Sequence, residues 1–195
     1  PVCVLHQVTQ PHWFSAKGGW CAADSASIFQ GYVRQVVQTL GDCCQRWLPV
    51  YEPEFWLTQV YRERHWPGSE TGGRRAYHKA LATLAVAQRL AASAIHERCP
   101  DAQVGISVRG TVVTPLDPHS PWDTRMARRE QHRLNLRFIE AATSAKDGDD
   151  QFMDFVLLGF AGAIQVRFAP LYLRGGCALP VDGFEFGVND AKGLD

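Results

Sequence analysis

The sequence has no excess charge of either sign, since 20 basic side chains offset 20 acidic ones over 195 residues. That balance removes the electrostatic reason to expect nucleic acid or an anionic membrane as partner. No segment approaches the length of a membrane span, and the first residues lack the basic-then-apolar pattern of a secretory signal. Six cysteines are present, Cys3, Cys21, Cys43, Cys44, Cys99 and Cys177, yet none forms a C-x-x-C pair and the histidines do not complete a zinc spacing. The sequence therefore predicts neither metal nor cofactor, and Cys43-Cys44 reads as a pair of solvent-shielded thiols at a helix end. With no disulfide framework, a reducing cytoplasm is the expected compartment. Internal repeats and low-complexity tracts are also missing.

What is there is enough apolar material for one core, with 46% of residues hydrophobic. The length still falls short of the roughly 250 residues of a complete eight-stranded α/β barrel. Short apolar runs alternate with longer helix-period stretches, which favours parallel strands with helical crossovers. Strands are expected at Val2–Leu5, Trp47–Tyr51, Val104–Val108 and Met153–Leu158. Pro49 is awkward in the second, because proline donates no ladder hydrogen bond.

Asp24 or Ser25 can cap a first helix with a face of Ile28, Tyr32, Val36 and Leu40. A second helix shows Tyr77, Leu81, Leu84, Gln88, Ala91 and Ile95 on one face and stops at Pro100. A third is expected from about Asp123 to Ala142. The fold class is thus α/β, with about four parallel strands and flanking helices. Periodicity alone leaves open whether this is part of a (β/α)8 TIM barrel or a small doubly wound sheet.

In parallel α/β barrels the chemistry sits where strands end and loops begin. Glu52 occupies such a place, directly after the second strand and before Pro53. Partly desolvated by Trp47, Phe55 and Trp56, a carboxylic acid there would be pushed towards proton donation. Taken alone, the same position also suits a residue that caps the following helix. The six tryptophans, at 13, 20, 47, 56, 66 and 122, are expected to fill core and helix–sheet contacts and not to form a sugar-stacking platform.

The order of several motifs adds a resemblance. Leu5-His6-Gln7-Val8-Thr9-Gln10-Pro11 followed by Gly18-Gly19-Trp20 resembles the L-x-H-W-D-x-P and GGW segments of glycoside hydrolase family 1. Phe29, Tyr32 and Gly41-Asp42 are similar to its F-x-x-Y and GD helix, and Trp47-Leu48-Pro49-Val50-Tyr51-Glu52-Pro53 to its W-x-T-x-N-E-P. Trp66-Pro67-Gly68, Val104-Gly105-Ile106 and the run Asp154 to Ala161 follow in the family's order. Gly183-Phe184-Glu185-Phe186 and Gly193-Leu194 resemble the segment before its seventh strand. Each motif is weak alone, but they are colinear over essentially the whole chain.

This resemblance implies a single partial barrel domain over residues 1–195 that supplies strands three to six, with an irregular tail over 170–195. It implies retaining hydrolysis of β-glucosides or β-galactosides, in which two carboxyl groups about 5 to 5.5 Å apart protonate the leaving group and attack the anomeric carbon. Glu52 matches the acid/base. The family's nucleophile lies in a T-E-N-G motif on strand seven that this sequence does not reach, and Glu185 matches a different segment.

The sugar-contacting positions depart from the family as well. Gln7 stands where the resemblance places a sugar-binding histidine, and Tyr51 replaces the asparagine before the acid/base. Gly159, Phe160 and Ala161 replace N-Y-Y. His6 is expected to be a packed or outward residue on the face opposite Gln7. The expectation is a chain that does not hydrolyse glycosides alone, or a silent remnant that binds a β-linked sugar or acts as a scaffold. Open barrel edges predict self-association.

Overall fold

The computed structural model describes residues 1–68, 72–143 and 153–166. The stretch from Gly183 to Leu194, Glu185 with it, and the tail 170–195 lie outside the described residues, as does part of the loop after Trp66. Four strands, β1 (Cys3–His6), β2 (Arg46–Val50), β3 (Gln103–Pro115) and β4 (Phe155–Val166), form one sheet in the order β1-β2-β3-β4, and every pairing is parallel. Each strand lies beside the next one in sequence. A doubly wound sheet reverses its strand order at a switch point, and none occurs here. Consecutive parallel strands joined by helical crossovers are neighbouring staves of a (β/α)8 barrel.

The crossovers are α1 (His12–Ala16) and α2 (Ser25–Leu40), then α3 (Pro53–Leu57) and α4 (Arg74–Arg98), then α5 (Pro121–Asn135) and α6 (Arg137–Thr143). The core lies between this helical layer and the sheet, built on Trp20, Trp47, Trp56, Tyr61, Tyr77, Leu84 and Ile95. In α4 the expected face is the buried one, and all six of its residues are shielded. The polar member, Gln88, is buried because its amide donates 3.1 Å to the Gly105 carbonyl of β3, which ties helix to sheet.

Three expectations are displaced. In α2 the buried face is Phe29, Val33 and Val37, one residue on from the expected one, and Tyr32 and Leu40 are exposed. The Asp24 side chain makes no cap bond there. The helix expected from Asp123 to Ala142 is two helices, broken at Leu136. Its start is fixed by Ser120, whose hydroxyl accepts the Asp123 N–H at 3.3 Å, and by Pro121 in the first turn.

Strands β3 and β4 run well past their apolar centres as a long two-stranded ribbon, irregular only at Gly110/Thr111. Pro49 sits inside β2 after all. The β2–β3 register is limited to Arg46 with Gln103 and Trp47 with Val104, so pairing with β3 stops before the missing donor. Gly19, with φ +51, brings the chain so close that an added Cβ would stand 3.1 Å from the Gly68 carbonyl oxygen. Only glycine fits that turn.

Candidate active site

β2–β3 pairing ends at Trp47 with Val104, and past Val50 the chain turns at Glu52, whose side chain reaches across to Arg109 of β3. Arg109 in turn pairs with Gly159 of β4. These three residues meet at the carboxyl side of the sheet. The Arg109 guanidinium stands 3.4 Å from Glu52 Oε2 and stacks on the Phe55 ring, 3.9 Å from its centroid. On the other side, Glu52 Oε1 would be 3.7 Å from a Cβ at Gly159, so the missing side chain leaves that oxygen facing open backbone.

Glu52 adopts the left-handed conformation, φ 44 and ψ 55, at the N-terminal boundary of α3. A non-glycine residue there is strained, and such strain gathers at functional positions. Its side chain makes no cap hydrogen bond to α3, so the capping role fails and the carboxylate turns to Arg109 instead.

A gap lined by Glu52, Glu54, Ser107, Arg109, Asn135 and Phe138 has a volume of about 10 Å³. That is the size of a single water and far below a sugar ring. The other carboxylate lining it, Glu54, is buried and accepts a hydrogen bond from the Tyr77 hydroxyl of α4. Burial pushes the Glu54 carboxyl up to about 6, against the opposing pull of the Tyr77 bond and of Arg137, Arg133 and Arg62. Tyr77 is raised in turn, by burial first and then by the Glu54 charge.

Gln7 and Tyr51 lie near one another through the backbone, where the Tyr51 N–H donates 3.0 Å to the His6 carbonyl. Gln7 is exposed and Tyr51 half-buried, and among the described residues neither side chain hydrogen-bonds to Glu52. The buried polar residue that ends β1 is His6. Its ring meets Trp56, Trp20 and Phe29 edge-on at 5.0, 5.5 and 6.5 Å, and neither ring nitrogen has a hydrogen-bond partner among the described residues. Burial pushes the imidazole down to about 4, so it is neutral at ordinary pH. The Trp20 indole N–H beside it is also unpartnered. His6 is packed, one of the two settings expected for it from sequence. Arg109 was not singled out by the sequence, because its contact with Glu52 is made across 57 residues.

Trp20, Trp47 and Trp56 belong to the core, whereas Trp13 and Trp122 are exposed.

Geometry thus defines a class, a run of α/β barrel staves with a strained carboxylic acid at the carboxyl end of a strand. Residues 1–154 match Glycosyl hydrolase family 1, and the chain belongs to that family. It is 26% identical over 148 residues to a 6-phospho-beta-glucosidase of Clostridium longisporum, covering 75% of this chain and 31% of that protein. It is 28% identical over 95 residues to the chloroplastic galactolipid galactosyltransferase SFR2 of Arabidopsis thaliana, covering 44% of this chain and 15% of that one. Among solved structures, the family 1 β-glucosidase of Thermotoga maritima in complex with isofagomine lactam superimposes with a TM-score of 0.75 at 20% identity, over 87% of this chain and 43% of that one. The chain therefore spans less than half the length of these relatives.

Proposed function

We propose that the chain carries the acid/base half of a retaining β-glycosidase site, with Glu52 as the proton donor, and that it does not hydrolyse β-glucosides or β-galactosides by itself. The carrying observation is the setting of Glu52. It is held in a strained turn level with β3 and β4, with one carboxylate oxygen engaged by Arg109. The retaining reaction needs a second carboxylate about 5 to 5.5 Å away that is free to attack carbon. Glu54, the other carboxylate lining the gap, is bound by Tyr77. The enclosed gap between Glu52 and Glu54 has room for one water and not for a pyranose. Arg109 engages Oε2 alone, so Oε1, on the Gly159 side, is the oxygen placed to carry the proton to a leaving group.

Incubated with p-nitrophenyl β-glucoside, the chain is expected to release no nitrophenol above the buffer rate. Hydrolysis that disappears in Glu52→Gln would overturn the inert reading and leave the proton-donor assignment standing.

A second reading is a silent sugar-binding remnant, in which buried polar atoms at the end of β1 would have to be opened to a ligand. The neutral His6 imidazole offers one donor and one acceptor, and the Trp20 indole supplies a further donor. His6 is enclosed by Trp56, Trp20 and Phe29, so the exposed Gln7 is the β1-end residue open to a sugar hydroxyl. Tyr51, half-buried beside Glu52, is the second such position. A flat calorimetric titration with cellobiose would remove this reading. The free edges of the sheet support self-association, with a second copy as the partner.

A further inference from the structure

Cys43 and Cys44, expected from sequence as a shielded pair, are divided between solvent and core. The more informative feature away from Glu52 is the charge on α5. That helix carries Arg125, Arg128, Arg129 and Arg133 against Asp123 and Glu130. Both acids are already engaged. Asp123 is buried and its carboxylate accepts the Asp117 N–H at 3.2 Å, and Glu130 holds Arg133 at 2.6 Å. Arg125, Arg128 and Arg129 are exposed and meet no carboxylate among the described residues. Like charges three and four residues apart on a helix repel, so this arrangement costs the helix stability and gains nothing from packing.

Two of these arginines face a concave surface. Arg125 and Arg128 line an open recess of about 530 Å³, walled by Pro118, His119, Pro121 and Thr124. The turn before the helix holds that wall in place, because the Asp117 carboxylate accepts the His119 N–H at 2.9 Å and Ser120 caps Asp123 at 3.3 Å. The Thr124 hydroxyl has only a 3.5 Å contact with the Pro118 carbonyl and is free to turn outward.

We propose that this recess binds a small phosphate-bearing ligand, with the Arg125 and Arg128 guanidiniums on the phosphate oxygens and the Thr124 hydroxyl as a further donor. A guanidinium presents a planar fork of donors that matches phosphate geometry. The overall charge is balanced, and the unpaired arginines span only about 6 Å of one helix at 1.5 Å per residue. A duplex or an anionic membrane calls for a broader positive face, whereas a recess of this volume suits a molecule of metabolite size. Arg125 is ten residues from Asn135, which lines the gap at Glu52, or about 15 Å along the axis. Binding here is therefore independent of whether Glu52 donates a proton.

Calorimetric titration of the full chain with inorganic phosphate, against a chloride blank of equal ionic strength, should give a saturable heat. Glycerol 3-phosphate should compete for it. Arg125→Gln/Arg128→Gln should weaken binding by about tenfold or more. Arg125→Lys/Arg128→Lys, which keeps the charge and loses the fork, should weaken it less. Arg75→Gln, at an exposed arginine of α4, and Glu52→Gln should leave it unchanged. Phenylglyoxal footprinting of the unaltered chain needs no substitution, and phosphate should shield Arg125 and Arg128 but not Arg75. Heat that never saturates, binding unchanged in the glutamine pair or equal protection at Arg75 overturns the assignment. So does retention of the chain on phosphatidate vesicles or a short DNA duplex that inorganic phosphate fails to displace.

Discussion

Two buried ionisable side chains, His6 and Glu54, pull the pH dependence of stability in opposite directions. The folded state holds His6 at about 4, below its ordinary 6.5. Its contribution is full above 6.5 and is lost as pH falls towards 4, a loss of roughly 3 kcal/mol for such a shift. Glu54 is raised from 4.5 to about 6. Its contribution is full below 4.5 and is lost as pH rises through 6, on the order of 2 kcal/mol. Acidification from 6.5 to 4 therefore removes the His6 contribution and restores the smaller one from Glu54, and denaturant melts should show a net loss of about 1 kcal/mol. Glu54→Gln should steepen that loss to roughly 3 kcal/mol. His6→Phe should reverse its sign, and a variant that still weakens in acid would refute the assignment of the slope to His6.

Among the elements, α4 was legible because six shielded residues repeat at three- and four-residue spacing, and the Gln88 bond to β3 obeys the same spacing. Leu84, fully buried in that face, should cost about 2–5 kcal/mol on truncation to alanine, read as a lower urea midpoint at constant slope. In α2 two apolar stripes lie side by side, and sequence could not say which one the sheet covers; Phe29, Val33 and Val37 are chosen by packing against α4 and the turn at Trp20. The lengths of β3 and β4 were hidden because Arg109, Gly110 and Thr111 interrupt the apolar run of β3, although its pairing with β4 continues past them. Glu52 was readable from its strand-end place and the flanking words, whereas its contact with Arg109 depends on two strands aligning across 57 residues. Gly19→Ala should destabilise by about 1–3 kcal/mol, since it combines a left-handed backbone with a 3.1 Å clash.

For the whole molecule, the sheet has two unpaired edges among the described residues, β1 and β4. Val2 and Val4 are exposed on the first, and Val156, Leu157 and Leu158 on the second, with Leu158 70% accessible. Apolar side chains along unpaired strands attract further strands. Sedimentation velocity should show a weight-average mass that rises with concentration, and Leu158→Lys should shift the distribution towards monomer. A single monomeric boundary at every concentration would count against edge pairing. Strand order that follows chain order has a further effect on how the molecule is made. Each strand–helix unit docks on the one synthesised just before it, so folding can advance from the ribosome without waiting for distant sequence. Nascent chains long enough for Arg98 to have cleared the ribosomal exit tunnel should already protect β1, α2 and β2 from protease.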